Sequence, residues 1–141
     1  MEIAIDFDGT CVTHAFPEIG ENIGAAPILR ALVNRGHKLI LNTMRSNNGD
    51  LPLFTTTGEI INTSGNFLDD AIEWFALNHI ELHGIQENPS QKSWTSSPKC
   101  YAQLYIDDAA LGCPLTYPPD GGRPYVDWVE VAYLLKQSKI L

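Results

Sequence analysis

A Rossmann-like three-layer α/β/α architecture with a central parallel sheet is the fold class this sequence predicts, on three observations. Strand-like and helix-like segments alternate along the chain. The strand candidates are apolar on both faces, as in Ile3-Ala4-Ile5 and Leu39-Ile40-Leu41, and such strands lie buried in parallel sheets covered by helices. The length of 141 residues suits one domain with one core, because domains commonly run about 100–150 residues. In a sheet of this kind ligands bind beyond the C-terminal ends of the strands.

Glu2 to Phe7 reads as the first strand, its apolar run closing on Asp6. Gly9 to Gly24 is irregular. Pro27 suits a first helical turn, with Ile28, Leu29, Leu32 and Val33 at helical spacing and Gly36 as the stop. His37 to Thr43 is a second buried strand. A second helix starts near Asn66, a suitable N-cap, with Leu68, Ile72 and Phe75 on one face and Asp69 and Asp70 in the favourable first turn. Ile80 to Ile85 and Leu104-Tyr105-Ile106 are further strands. After a Pro/Gly-rich loop, Asp127 caps a last helix bearing Trp128, Val131 and Leu135. Residues 44–65 are too long for an ordinary connection; Leu53-Phe54-Thr55-Thr56, Thr57-Gly58 and Glu59-Ile60-Ile61-Asn62 predict a small β-hairpin inserted on the active face. The chain is thus expected to be one domain over 1–141, with no room for a large cap.

Composition excludes several classes. Seventeen acidic against nine basic side chains give a net charge of -8, which disfavours non-specific nucleic-acid binding. At 44% hydrophobic and 18% charged the chain falls in the globular range. No apolar run approaches the roughly 20 residues that cross a bilayer, and no basic segment followed by an apolar stretch opens the chain. Cys11, Cys100 and Cys113 are odd in number with no C-x-x-C pairing, so a disulfide scaffold is not expected and a cytoplasmic location is. No G-x-x-x-x-G-K-[ST] or G-x-G-x-x-G occurs, so the phosphate cradles of P-loop and dinucleotide enzymes are missing.

The chemistry concentrates at Asp6-Phe7-Asp8-Gly9-Thr10. Where a strand ends and turns, two carboxylates one residue apart can converge on one pocket, and Gly9 permits close approach of a bound anion to the backbone. A carboxylate at the end of a buried strand is costly without a compensating cation or hydrogen bonds. Asp107-Asp108 repeats the arrangement after Leu104-Tyr105-Ile106. Two such ends at one sheet edge gather four carboxylates, which raise their own pKa values unless a hard divalent cation sits among them; oxygen ligands with a phosphate oxygen favour Mg2+. Thr43 closes the second strand, where its hydroxyl and the backbone N–H groups of Met44 and Arg45 suit a phosphate oxygen. Lys99, or alternatively Lys92, is placed to neutralise a carboxylate and a phosphoryl oxygen.

This set resembles the haloacid dehalogenase superfamily of phosphohydrolases. Asp6-Phe7-Asp8-Gly9-Thr10 is similar to its first motif, Thr43 to its second, Lys99 to its basic third and Asp107-Asp108 to its acidic fourth, in the same order. Pro17-Glu18-Ile19-Gly20, Asp70-Ala71-Ile72-Glu73-Trp74 and Lys99 to Asp108 resemble a small, poorly characterised bacterial and phage branch without a large cap. The resemblance implies a Mg2+-dependent phosphomonoesterase acting on a phosphorylated small molecule. In it Asp6 is the nucleophile and forms an aspartyl-phosphate, while Asp8 protonates the leaving oxygen and then activates water. Thr43 and Lys99 stabilise charge. Mg2+ is held by Asp6, the Asp8 backbone carbonyl and one of Asp107 and Asp108, with Asp107 preferred. Gly9, Thr10, Met44, Arg45 and His14 would contact substrate, Arg45 by forking onto a second anionic group and His14 from a flap over the site. Trp94 is expected to stack on substrate or on a loop neighbour, and Cys11 to be packing.

Two rivals belong to other classes. A receiver-like phospho-acceptor also clusters acids, Thr and Lys on a parallel sheet, but its acidic pair comes first and its single phospho-Asp later, the reverse of the order here. An idle interaction module of the same fold has no use for a complete acid set.

Overall fold

The computed structural model describes residues 1–49, 53–54, 56–58, 60–62 and 65–141. In chain order its elements are β1 (Glu2–Ile5), α1 (Ala25–Asn34), β2 (Lys38–Leu41), β3 (Asn47–Gly49), β4 (Leu53–Phe54), β5 (Ile60–Asn62), β6 (Gly65–Asn66), α2 (Phe67–Leu77), β7 (Gly84–Ile85), a 3-10 turn (Gln91–Ser93), β8 (Leu104–Ile106), β9 (Leu115–Thr116), β10 (Tyr125–Val126) and α3 (Trp128–Gln137). The fold is the predicted α/β class: a central four-stranded parallel sheet, in the order β7-β2-β1-β8, flanked by helices.

The register sets Ile5 level with Leu41 on one side and Ile106 on the other. Asp6 and Asp107, each the next residue, therefore leave the sheet at the same edge, and the Asp6 N–H donates to the Ile106 carbonyl at 3.0 Å. Side chains alternate along the strands. Ile3, Ile5, Leu39 and Leu41 join the main core with Leu29 and Leu32 of α1, Ala71, Trp74 and Phe75 of α2, and Val131 and Leu135 of α3. Each buried Ile, Leu, Val or Phe among them contributes about 1.5–3 kcal/mol. Ala4 and Ile40 meet Cys100 and Ala102 on the opposite face. That difference follows from topology. The chain moves outward from β1 through β2 to β7, then returns past β1 to β8, and right-handed crossovers put that return on the other face of the sheet. The return carries only the 3-10 turn, so the layer there is thin.

Several local signals act as expected. The Asp127 Oδ1 accepts the N–H groups of Val129 and Glu130 at 3.0 and 3.2 Å, capping α3. Gly36, at φ 92°, follows α1. Asn66 occupies the N-cap position of α2, but its side chain makes no capping hydrogen bond. Asn47 of β3 does so instead, accepting the Asp69 N–H at 3.1 Å and donating to Asp69 Oδ1 at 3.0 Å. The strand expected over Ile80 to Ile85 shortens to Gly84–Ile85, because Ile80 is spent on closing α2: its N–H donates to the Phe75 carbonyl at 2.9 Å and its side chain is buried.

In the 44–65 segment, β4 pairs antiparallel with β5, the predicted hairpin, and β3 pairs antiparallel with β6 outside it. Thr55 and Glu59 of the predicted hairpin lie outside the described residues. A second antiparallel pair, β9 with β10, is fastened to the sheet edge by the Val126 N–H, which donates to the Gly9 carbonyl at 2.9 Å. Among the described residues no helix is long and apolar enough to cross a membrane.

Candidate functional site

The segment after β1 is built around Phe7. Its ring is fully buried against Trp74 and Phe75, with centroids 5.7 and 6.1 Å away. Anchoring Phe7 in the core turns its neighbours Asp6 and Asp8 the other way, so both carboxylates line one cleft. The Phe7 carbonyl accepts the N–H groups of Thr10 and Cys11 at 3.1 and 2.8 Å, closing a tight turn. Gly9 is required there twice over: its φ is +78°, and a Cβ would stand 2.0 Å from His14 Nε2 and 2.7 Å from Asp108 Oδ2.

From β8 come Asp107 and Asp108. Asp6, Asp107 and Asp108 each offer a carboxylate oxygen within 4.8 Å of the others. Thr10 joins the two strands: its Oγ1 donates to Asp6 Oδ2 at 2.8 Å and accepts the Asp108 N–H at 3.1 Å. His14 Nε2 contacts Asp108 Oδ2 at 2.9 Å. Burial, reinforced by the negative charges of Asp107 and Asp108, pushes the Asp6 carboxyl up to about 7 despite the Thr10 hydrogen bond. An all-oxygen donor set under such mutual repulsion fits a hard divalent cation, which would reverse that shift. The cleft holds about 430 Å³ and is lined also by Thr43, Met44 and Arg123, enough for a small ligand.

Asp8 stands apart from this trio. Arg45 grips it through Nε to Oδ2 and Nη2 to Oδ1, both at 2.8 Å. The same guanidinium donates to the carbonyls of Pro17, Glu18 and Phe67 and lies between the Phe7 and Phe16 rings, 5.1 and 5.2 Å from their centroids. Arg45 is 2% exposed. It is therefore not the substrate fork expected of it, because its donors are committed to Asp8 and backbone carbonyls.

Lys99 also departs from expectation. It lies on the return connection, exposed, with Nζ 5.6 Å from the Tyr105 ring centroid. There it borders a separate surface hollow with Trp94, Ser97 and Tyr101. The residue level with Tyr105 is Ala4, so this is the thin-layer face and not the acidic edge. Lys92 is no substitute, being paired with Glu87 at 2.9 Å on the surface. Trp94 meets a loop neighbour, Tyr101, edge to face at 5.2 Å.

Thr10 is fully buried, so its side chain bridges Asp6 and Asp108 and does not reach substrate. Thr43 borders the cleft, its Oγ1 accepting the Arg45 N–H at 3.1 Å. The Met44 side chain stands 96% exposed on the rim. Cys11 is wholly buried and donates to the Asp6 carbonyl at 3.3 Å; burial holds its thiol well above the usual range, so it is packing.

Two contributors escaped sequence reasoning. Gln86, at φ 64° just beyond β7, accepts the Thr43 N–H at 2.9 Å and donates to the Thr43 and Arg45 carbonyls at 2.7 and 3.1 Å, shaping that whole turn. Its place immediately after a strand was the available signal. Arg123 sits in the Pro/Gly-rich loop between β9 and β10, where no local pattern marks it.

No protein-family model and no curated protein matches the chain. A solved structure of a conserved protein from Bacteroides thetaiotaomicron is 32% identical, with a TM-score of 0.68, over 98% of this chain and 91% of that one. At that identity and coverage the likeness extends beyond fold, and the chain belongs to the same family as this conserved Bacteroides thetaiotaomicron protein.

Proposed function

We propose that the protein is a Mg2+-dependent phosphomonoesterase of the haloacid dehalogenase type, acting on a phosphorylated small molecule such as a nucleotide or sugar phosphate. One observation carries this reading: Asp6, Asp107 and Asp108 converge within 4.8 Å at the C-terminal edge of a parallel sheet, with Asp8 in the same cleft. Mg2+ held by Asp6, Asp107 and Asp108 would supply positive charge to the transferring phosphoryl group.

The chain's own residues divide the remaining work. Thr10 fixes the rotation of the Asp6 carboxylate through Oδ2, so that Asp6 attacks phosphorus in line. The P–O bond to the leaving group breaks as the Asp6–P bond forms, and the leaving oxygen takes its proton from Asp8. In the second step Asp8 accepts a proton from water, whose oxygen displaces Asp6 and releases phosphate. Two displacements split a reaction that is extremely slow uncatalysed. Arg45 holds Asp8 by both oxygens, a grip on the carboxylate form that must open at one oxygen before Asp8 carries the proton it gives to the leaving oxygen. Thr43 aids at the rim of the same cleft.

The test is phosphate release from a panel of nucleotides and sugar phosphates, with and without Mg2+. Turnover should require Mg2+ and vanish in Asp6→Asn. Turnover unchanged in Asp6→Asn overturns the assignment, and a lasting phosphoryl adduct without turnover points to a phospho-acceptor module.

A further inference from the structure

We infer that Arg123, on the loop between β9 and β10, is the cationic residue that grips the phosphoryl group in the acidic cleft, in place of Lys99. The inference rests on the phosphohydrolase reading for the identity of the ligand. Its own support is positional. Arg123 lines the cleft with Asp6, Asp107 and Asp108, and Lys99 does not. Of the two guanidinium groups bordering the cleft, Arg45 is committed to Asp8 and three carbonyls. Arg123 makes no hydrogen bond or ion pair among the described residues, although the carboxylate trio borders the same space. Arg123 is exposed at the cleft, and a planar guanidinium fork bordering the same space as the acids suits an anion lying between them.

The loop is held to the site rather than loosely hung. The Val126 N–H donates to the Gly9 carbonyl, and Trp128 Nε1 donates to the Thr10 carbonyl at 2.7 Å. Those contacts fix the chain just beyond Arg123 against the turn that carries Asp6 and Asp8. Charge agrees as well. Three carboxylates against one divalent cation leave a single negative charge, and Arg123 cancels it, so an incoming phosphate meets a neutral wall rather than a repelling one.

The experiment is calorimetric titration of inorganic phosphate into full-length protein saturated with Mg2+. Arg123→Ala should weaken phosphate binding by about tenfold or more, and Arg123→Lys should restore part of it. Arg35→Ala, the same charge change on the exposed end of α1, should stay within about twofold of wild type. Failure of the wild type to bind phosphate overturns the inference. So does equal weakening in Arg123→Ala and Arg35→Ala, or a loss found in Lys99→Ala but not in Arg123→Ala. Phosphatase assays on the same samples keep the two readings apart: Arg123-dependent phosphate binding without turnover removes the phosphatase reading and leaves Arg123 standing. Turnover that needs Asp6 and is indifferent to Arg123→Ala does the reverse.

Discussion

Removing the Arg45 guanidinium takes from the Asp8 carboxylate two charge-assisted hydrogen bonds, one on each oxygen. Breaking a buried ion pair from one side costs about 3–5 kcal/mol, and Asp8 keeps some access to water, with its side chain 20% exposed, so about 2–3 kcal/mol is the expected loss for Arg45→Ala. Arg45→Lys should recover little, because a single ammonium cannot serve both Asp8 oxygens and the carbonyls of Pro17, Glu18 and Phe67. Urea denaturation midpoints check both. Asp6 makes a second prediction at this scale. Its carboxyl rises from an ordinary 3.8 to about 7, so between about pH 4 and pH 7 the folded chain keeps a proton that the unfolded chain has released. Stability therefore falls as pH rises through that window. Without divalent cations the melting temperature should drop across it, Mg2+ at neutral pH should restore the loss, and Asp6→Asn should flatten the slope. A melting temperature that does not respond to Mg2+ at neutral pH would contradict the cation site.

At the scale of elements, α2 supplies the sharpest test. Its first turn is capped by Asn47 from another strand and not by Asn66 at its own N-cap position. Asn47→Ala should cost about 1 kcal/mol, and Asn66→Ala should stay within about 0.5 kcal/mol, both read from denaturation curves. Elements were legible in the sequence wherever the signal was local: the apolar runs of β1, β2 and β8, the spacing of α1 and the Asp127 cap. They were not where the partner is remote. Nothing near Asn66 announces that Asn47 has taken its hydrogen bond, and nothing within Ile80 to Ile85 reveals that Ile80 is needed to close the preceding helix.

Across the whole molecule, the sheet order explains where the site lies. The chain reverses direction about β1, sending β2 and β7 to one side and β8 to the other, and ligands gather in the crevice at such a switch point. The acids were legible because each ends an apolar strand, and parallel strands in register bring such ends together. The cations were not, since Arg45 and Lys99 carry no local mark of which face or depth they reach, and Arg123 arrives through a loop without periodicity. At this scale Trp128→Phe, which deletes the bond to the Thr10 carbonyl while keeping an aromatic ring in the core, should lower the turnover proposed above by about tenfold through misplacement of the Asp6 turn, with little change in secondary structure by circular dichroism. Loss of the helical signal would instead mark Trp128 as packing alone.

The hydrogen bond from Trp128 Nε1 to the Thr10 carbonyl spans 118 positions of chain. It ties the turn after β1 to the first residue of α3. A nascent chain that has exposed Asp6 and Asp8 cannot form the acidic trio until Asp108 has been made, nor the clasp behind Thr10 until Trp128 has.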